Sequence, residues 1–291
     1  MWTSLIEGFL ASERDRGLEE RSLGDLALQL RFFQRHVGET GVMPAEITSE
    51  ALRAWSVERV GTKSYATAKS VIWSLKRFFG RLTLTGECPG DPTTPLRYPR
   101  YRPRQSLPIY LKTDQLRAVL TGSYRDDSHG DFALLSLIAS TGLRPGDVQA
   151  LTRFEVHLGE QLVCGRVKGG WTKQTVLSDS MTAVLARHLD ERTDSAEALF
   201  LTSCGHPARP AHMRKVAKRA GERVGLDFTL TPQILRHTFA THAADRHGRT
   251  ITKTLLGHNR GASTELYTHL SPSHFRPLMN RHPYNDSEDS R

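Results

Sequence analysis

Residues 141–151 read Thr-Gly-Leu-Arg-Pro-Gly-Asp-Val-Gln-Ala-Leu, a helix that breaks and starts again. Upstream, Phe132–Ser140 is almost wholly apolar, which predicts a helix buried on all sides. Gly142 and Pro145-Gly146 interrupt it, and a short helix is expected to resume and run to Leu151. Such a break can aim the guanidinium of Arg144 into a cleft. Downstream, Phe154–Leu158, Gln161–Lys168 and Lys173–Ser178 have strand character, with turns at Gly159 and at Gly169-Gly170. They predict a three-stranded antiparallel meander. Helices are expected from Thr113, as N-cap, through Leu120, and over 180–189, 209–224, 232–245, 250–257 and 263–270. The polar stretch 282–291 is expected to be a mobile tail.

Working toward the N-terminus, apolar residues recur at helical spacing. Leu5, Phe9 and Leu10 form one helix and Leu26 to Phe33 a second, broken near Gly17–Ser22; Thr48 opens a third. The clearest helix is 64–79, where Ala68, Val71, Ile72, Leu75, Phe78 and Phe79 make one stripe. Between the helical start and the meander lies 88–108, with six of the chain's fourteen prolines interleaved with Arg97, Arg100, Arg102 and Arg104. Proline at this density favours an extended path. The fold class is therefore mainly α with a small antiparallel meander. Its domains are a helical one over 1–88, a Pro/Arg-rich linker over 89–108, and a second domain over 109–291. The length of 291 residues agrees with roughly two domains at about 150 residues each.

The net charge of +9 is uneven. Residues 1–50 hold five basic and nine acidic side chains, residues 51–110 eleven and three, and the remainder twenty-four and nineteen. A concentrated basic segment suits a polyanion; a solvated basic face is the plainer alternative. Lys69, Lys76 and Arg77 on helix 64–79, and Arg97, Arg100, Arg102 and Arg104 beyond it, are the candidate phosphate contacts. No apolar run approaches the ~20 residues of a membrane span, and the first residues do not read as an export signal. The three cysteines, Cys88, Cys164 and Cys204, form no CxxC pair, so a cytoplasmic protein without disulfides is expected. No P-loop, GxSxG or HExxH occurs. His237 with His242, and Cys204, His206 and His212, are close in sequence without the spacing of a zinc site.

Phosphoryl transfer is catalysed chiefly by positioning and by cations around the equatorial oxygens, and arginine suits that role. Arg236 lies in Thr-Pro-Gln-Ile-Leu-Arg-His (231–237), where Pro232 fits the first turn of a helix and Gln233 shares a face with Arg236. Lys168 falls at the tip of the second hairpin. Singly, each of these has a dull explanation as surface charge or packing.

Taken together, Thr-Gly-Leu-Arg-Pro-Gly-Asp-Val-Gln-Ala-Leu (141–151), Leu-Arg-His-Thr-Phe-Ala-Thr-His (235–242), Leu-Leu-Gly-His (255–258) and Leu-Tyr-Thr-His-Leu (266–270) resemble, in order and spacing, the tyrosine recombinase (phage integrase, Xer-like) family. The likeness spans nearly the whole chain. It implies a core-binding domain followed by a catalytic domain. It also implies site-specific cleavage and rejoining of DNA through a 3′-phosphotyrosine, in integration, excision or resolution. By this resemblance Arg144 and Arg236 are the catalytic arginines, Asp147 supports the first, and Lys168 is the hairpin lysine, with Lys173 a weaker candidate that also adds to the DNA-binding set. His258 contacts the scissile phosphate and Tyr267 is the nucleophile. The family usually has His three residues before the second arginine; here it is Gln233, which can donate a hydrogen bond but cannot carry a proton at neutral pH. The resemblance implies no cofactor and no metal. Its partners are duplex DNA with recombination sites, a homotetramer on that DNA, and an accessory directionality protein left open. Gln233 tilts the expectation toward a mobile element. The alternatives are a catalytically impaired DNA-binding relative, a relaxing type IB-like topoisomerase, and a non-enzymatic architectural protein.

Overall fold

The computed structural model describes residues 1–61, 64–98, 109–166, 172–256 and 276–281. The chain divides into two compact units, Met1–Gln105 and Ser106–Arg291. The expected helix 263–270 and the tail 282–291 lie outside the described residues.

The first unit holds four helices: α1 (Trp2–Asp15), α2 (Glu20–Thr40), α3 (Ser49–Val60) and α4 (Tyr65–Thr85). Side-chain oxygens set two of the starts. Thr48 Oγ1 accepts from the Ala51 amide at 3.1 Å, and Ser64 Oγ from the Thr67 amide at 3.3 Å. Gly41 and Gly86, both left-handed, end α2 and α4. The stripe on α4 continues past the expected boundary at 79 because Leu82 is also buried, so the helix runs to Thr85. Phe33 sits at the centre, edge-on to Trp55 at 5.1 Å and to Phe79 at 5.6 Å. Each such ring contributes about 1.5–3 kcal/mol by burial. The start of the proline-rich stretch is packed on this unit rather than extended away from it. Cys88 and Leu96 join its core, and Thr93 is buried.

The second unit holds α5 (Thr113–Asp126), α6 (His129–Thr141) and α7 (Pro145–Ala150). The strands β1 (Val156–His157), β2 (Leu162–Arg166) and β3 (Thr172–Val176) follow. Then come α8 (Asp179–Asp190), α9 (Pro210–Arg223), α10 (Pro232–Leu255) and α11 (Arg276–Asn280). The central helix is α6, buried continuously over 133–141 and packed against α5, α8, α9 and α10. The strands form the expected antiparallel meander in the order β1-β2-β3, with Val163 opposite both Val156 and Thr175. Its first strand is shorter than expected. Thr152 donates its amide to Glu155 Oε2 at 2.8 Å, and this closes a 3-10 turn over Arg153–Glu155. Thr113 is the first residue of α5, not its cap, which is Lys112. The two helices expected over 232–245 and 250–257 are contiguous in α10, broken by Gly248 at φ 79°.

Sequence patterning gave no sign of α11. Met279 is buried with Phe239, Ala243 and Leu256, and Asn280 exchanges hydrogen bonds with Asp179. The helix therefore seats on its own unit in this single chain. Among the described residues no helix is long and apolar enough to cross a membrane, and no three His, Cys, Asp or Glu side chains cluster as metal ligands. His212 bonds Asp131 at 2.9 Å.

Candidate active site

The site is built at the C-terminal end of α6. Gly142 ends that helix at φ 63°, a conformation that costs a glycine little. No other residue fits there. A Cβ on Gly142 would fall 2.5 Å from the Phe239 ring and 2.7 Å from Leu256 Cδ2. The break is thus pressed directly against α10. Arg144 then occupies the position before α7, with Pro145 in the first turn. Its amide donates to Asp147 Oδ2 at 3.3 Å, and its guanidinium lies 4.0 Å from the same oxygen. Asp147 therefore ties both ends of Arg144 to the helix start. The Arg144 side chain is 49% exposed, so its fork reaches solvent.

Arg236 comes from the second turn of α10. Thr231 caps this helix by accepting from the Ile234 amide at 3.2 Å, and Pro232 opens it. The fully buried Leu235 and Phe239 fix its rotation. Thr238 Oγ1 accepts from the Leu111 amide at 2.9 Å and donates to the Ile234 carbonyl, pinning the entering chain to the same helix. Arg236 is only 5% exposed and donates to the Gly142 carbonyl. Burial, together with the like charge of Arg144, pushes its pKa down to about 10 although Asp147 pulls it back. It stays protonated at neutral pH. Two guanidinium groups, one buried and one half-exposed, are thus held near each other by a carbonyl and a helix start.

Gln233 is exposed one turn before Arg236, and its Nε2 lies 3.2 Å from His237 Nε2. Arg144, Asp147, Arg236 and Gln233 are accordingly gathered on the α6–α7 break and the start of α10. Lys168, His258 and Tyr267 lie outside the described residues, as do Arg100, Arg102 and Arg104. The backbone of Lys173 pairs with Gly165 in the meander.

The basic set of the first unit differs in its surroundings from residue to residue. Lys69 and Arg97 are exposed. Lys76 donates from Nζ to the Thr93 carbonyl at 2.9 Å, holding the proline-rich stretch on α4. Arg77 is paired with Glu13, whose side chain is 0% exposed, and stands 5.3 Å over the Trp73 ring. A buried carboxylate needs a partner, so Arg77 answers Glu13 and joins α4 to α1. Lys76 and Arg77, expected to meet phosphate, are half-exposed and each has a partner within this unit. Sequence reasoning also passed over a basic row. Arg209, Arg214, Lys215 and Lys218 are all exposed at and along the first half of α9. Their excess was diluted over the 24 basic and 19 acidic residues of 111–291.

Residues 110–274, more than half of the chain, match the phage integrase family. The tyrosine recombinase XerD of Shewanella oneidensis is 27% identical over 290 residues, covering 96% of each protein. XerD of Staphylococcus aureus is 28% identical over 297 residues, covering 96% of this chain and 99% of that one. Among solved structures, a lambda integrase dimer bound to a COC′ core site superposes with a TM-score of 0.70 at 16% identity, over 92% of this chain and 98% of that one. XerH recombinase bound to its difH substrate gives 0.64 at 19% identity, over 85% and 77%. At these identities the superpositions speak to the shared fold.

Proposed function

As a member of the phage integrase family this chain is a DNA strand-exchanging tyrosine recombinase, and we propose that Arg144 and Arg236 are the pair of cations that hold its scissile phosphate. The observation that carries the assignment is the convergence of two cations: Arg236 is buried, donates to the Gly142 carbonyl, and feels the like charge of the Arg144 guanidinium. Two fixed guanidinium groups side by side are complementary to a phosphodiester, and more so to the extra negative charge of a pentacoordinate transition state. Each arginine offers two parallel donors to the non-bridging oxygens. Asp147 orients Arg144 without cancelling it.

In this proposal the Tyr267 phenolic oxygen attacks the phosphorus, the bond to the 5′-oxygen breaks, and Lys168 gives that oxygen its proton. His258 and Gln233 donate hydrogen bonds to the phosphoryl oxygens. One phosphodiester replaces another of similar energy, so the reverse attack by a 5′-hydroxyl reseals a strand. The partner is duplex DNA carrying recombination sites, held in the cytoplasm by a homotetramer, because exchange between two duplexes needs four strand cleavages. Lys69 and Arg97 on the first unit and the basic row of α9 on the second supply phosphate contacts, which give affinity that falls steeply with salt. Whether the sites belong to a mobile element follows from the target DNA. The experiment is a duplex nicked beside the cut position, incubated with the full chain. A covalent protein–DNA adduct is expected from the natural sequence and none from Tyr267→Phe. An adduct that survives Tyr267→Phe, or is formed equally by Arg236→Ala, refutes the assignment.

A further inference from the structure

An amide in place of an imidazole changes what the position can do. A histidine offers one N–H in a rigid ring; a glutamine side chain presents either a carbonyl or an NH₂ group. Turned toward a phosphoryl oxygen, the first repels and the second attracts. A glutamine at such a place needs something to choose its orientation. On α10, Gln233 has Arg236 three residues on and His237 four residues on, so both lie along its own face. The Nε2 of Gln233 lies 3.2 Å from Nε2 of His237. An amide nitrogen has only hydrogens to offer, so Gln233 donates and the imidazole nitrogen accepts. This fixes the carboxamide plane, and the second N–H on the same nitrogen diverges from the first by about 120°. The carbonyl is at the opposite end of the group.

We propose that His237 is a positioning residue that holds the Gln233 carboxamide with an N–H available to the scissile phosphate, so that two residues fill the place of one histidine. The proposal rests on the assignment of Arg144 and Arg236 as phosphate ligands. His237 acts only through Gln233. It touches neither the phosphate nor the leaving oxygen, and no proton passes through it.

The test is a double-mutant cycle on single-turnover adduct formation with the nicked duplex, using the full chain as its natural sequence, Gln233→Ala, His237→Ala and the pair. Gln233→Ala and His237→Ala are each expected to slow cleavage by about tenfold or more, the scale of a misplaced catalytic group. In the Gln233→Ala background, His237→Ala is expected to add no more than about twofold, the margin of independent sites. His237→Gln, whose side-chain carbonyl can accept the same N–H, is expected to recover most of the rate. An equal cost of His237→Ala in both backgrounds overturns the proposal, as does a single variant without effect. If thermal melting shows His237→Ala to be unfolded, His237→Phe keeps the ring and removes the acceptor. Arg236→Ala separates the layers. Adduct formed normally there removes the site assignment, whereas adduct lost there with additive Gln233 and His237 effects removes this proposal alone.

Discussion

The two ends of α6 each gather a pair of arginines and treat them in opposite ways. At the N-terminal end, Asp127, Asp131 and Asp126 meet Arg219 and Arg223 from α9. The Asp127 side chain is 1% exposed and accepts from both arginines at 3.0 Å. Burial opposes its charge, but the hydrogen bonds from Arg223 and Ser123 and the charges of Arg219 and Arg223 outweigh that, and the carboxyl is held below its ordinary range. At the C-terminal end, Arg236 is bonded to the Gly142 carbonyl and feels the charges of Arg144 and Asp147. Both ends obey the helix dipole, with carboxylates where amides point outward and a cation where carbonyls do. They differ in the counterion. The first cluster is neutralised by carboxylates and holds the fold. In the second, the described contacts are a backbone carbonyl to Arg236 and the Asp147 carboxylate beside Arg144.

The contrast is broken most directly by exchanging the roles of the two arginine pairs. Arg236→Ala is expected to slow adduct formation by about 100- to 1000-fold, the cost of one transition-state donor, with a smaller effect on melting temperature. Arg223→Ala should do the reverse, lowering stability while leaving the cleavage rate of the folded fraction intact. An Arg223 variant as slow as the Arg236 variant would erase the distinction. Next in size, Asp127→Ala leaves two arginines without their buried partner and is expected to cost about 3 kcal/mol in urea unfolding.

Gly142→Ala strikes the other end without touching a charge. The added methyl meets Phe239 and Leu256 in a left-handed backbone, for which about 2–3 kcal/mol of stability is expected to be lost. Displacement of the Gly142 carbonyl should also slow cleavage, measured on the same nicked duplex at a temperature where the variant is folded. The smallest effect is in pH. Asp127 has a depressed folded-state pKa, so its contribution is complete above the unfolded value near 3.8 and is lost as pH falls through the folded value beneath it. The stability gap between the natural chain and Asp127→Asn should therefore be constant at neutral pH and close below about pH 4. A gap that widens on acidification would show the sign to be wrong.

Much of this was legible in the residues. The Gly142 break, the helix opened by Thr231-Pro232 and the shared face of Gln233 and Arg236 are local features, and local patterns decide them. So is the helix start at Thr48. What escaped was long-range. Arg77 reads as one of a basic group until α1 brings Glu13 beneath it, across a separation of 64 residues. Lys76 donates to the Thr93 carbonyl, which holds the start of the proline-rich stretch on α4. The basic row of α9 was masked because charge was summed by segment. Arg219 and Arg223 are answered by aspartates on α5 and α6, whereas Arg214 and Lys215 stand exposed. Charge counting sees totals; only the fold says which charges already have an owner.

The seat of Gly142 between Phe239 and Leu256 has a consequence for how this enzyme tolerates change. The oxygen that grips Arg236 is located by hydrocarbon contact, so the electrostatics of the reaction centre inherit the stiffness of the apolar floor below it. Trimming a methyl group from that floor would detune the chemistry while every polar side chain stayed in place.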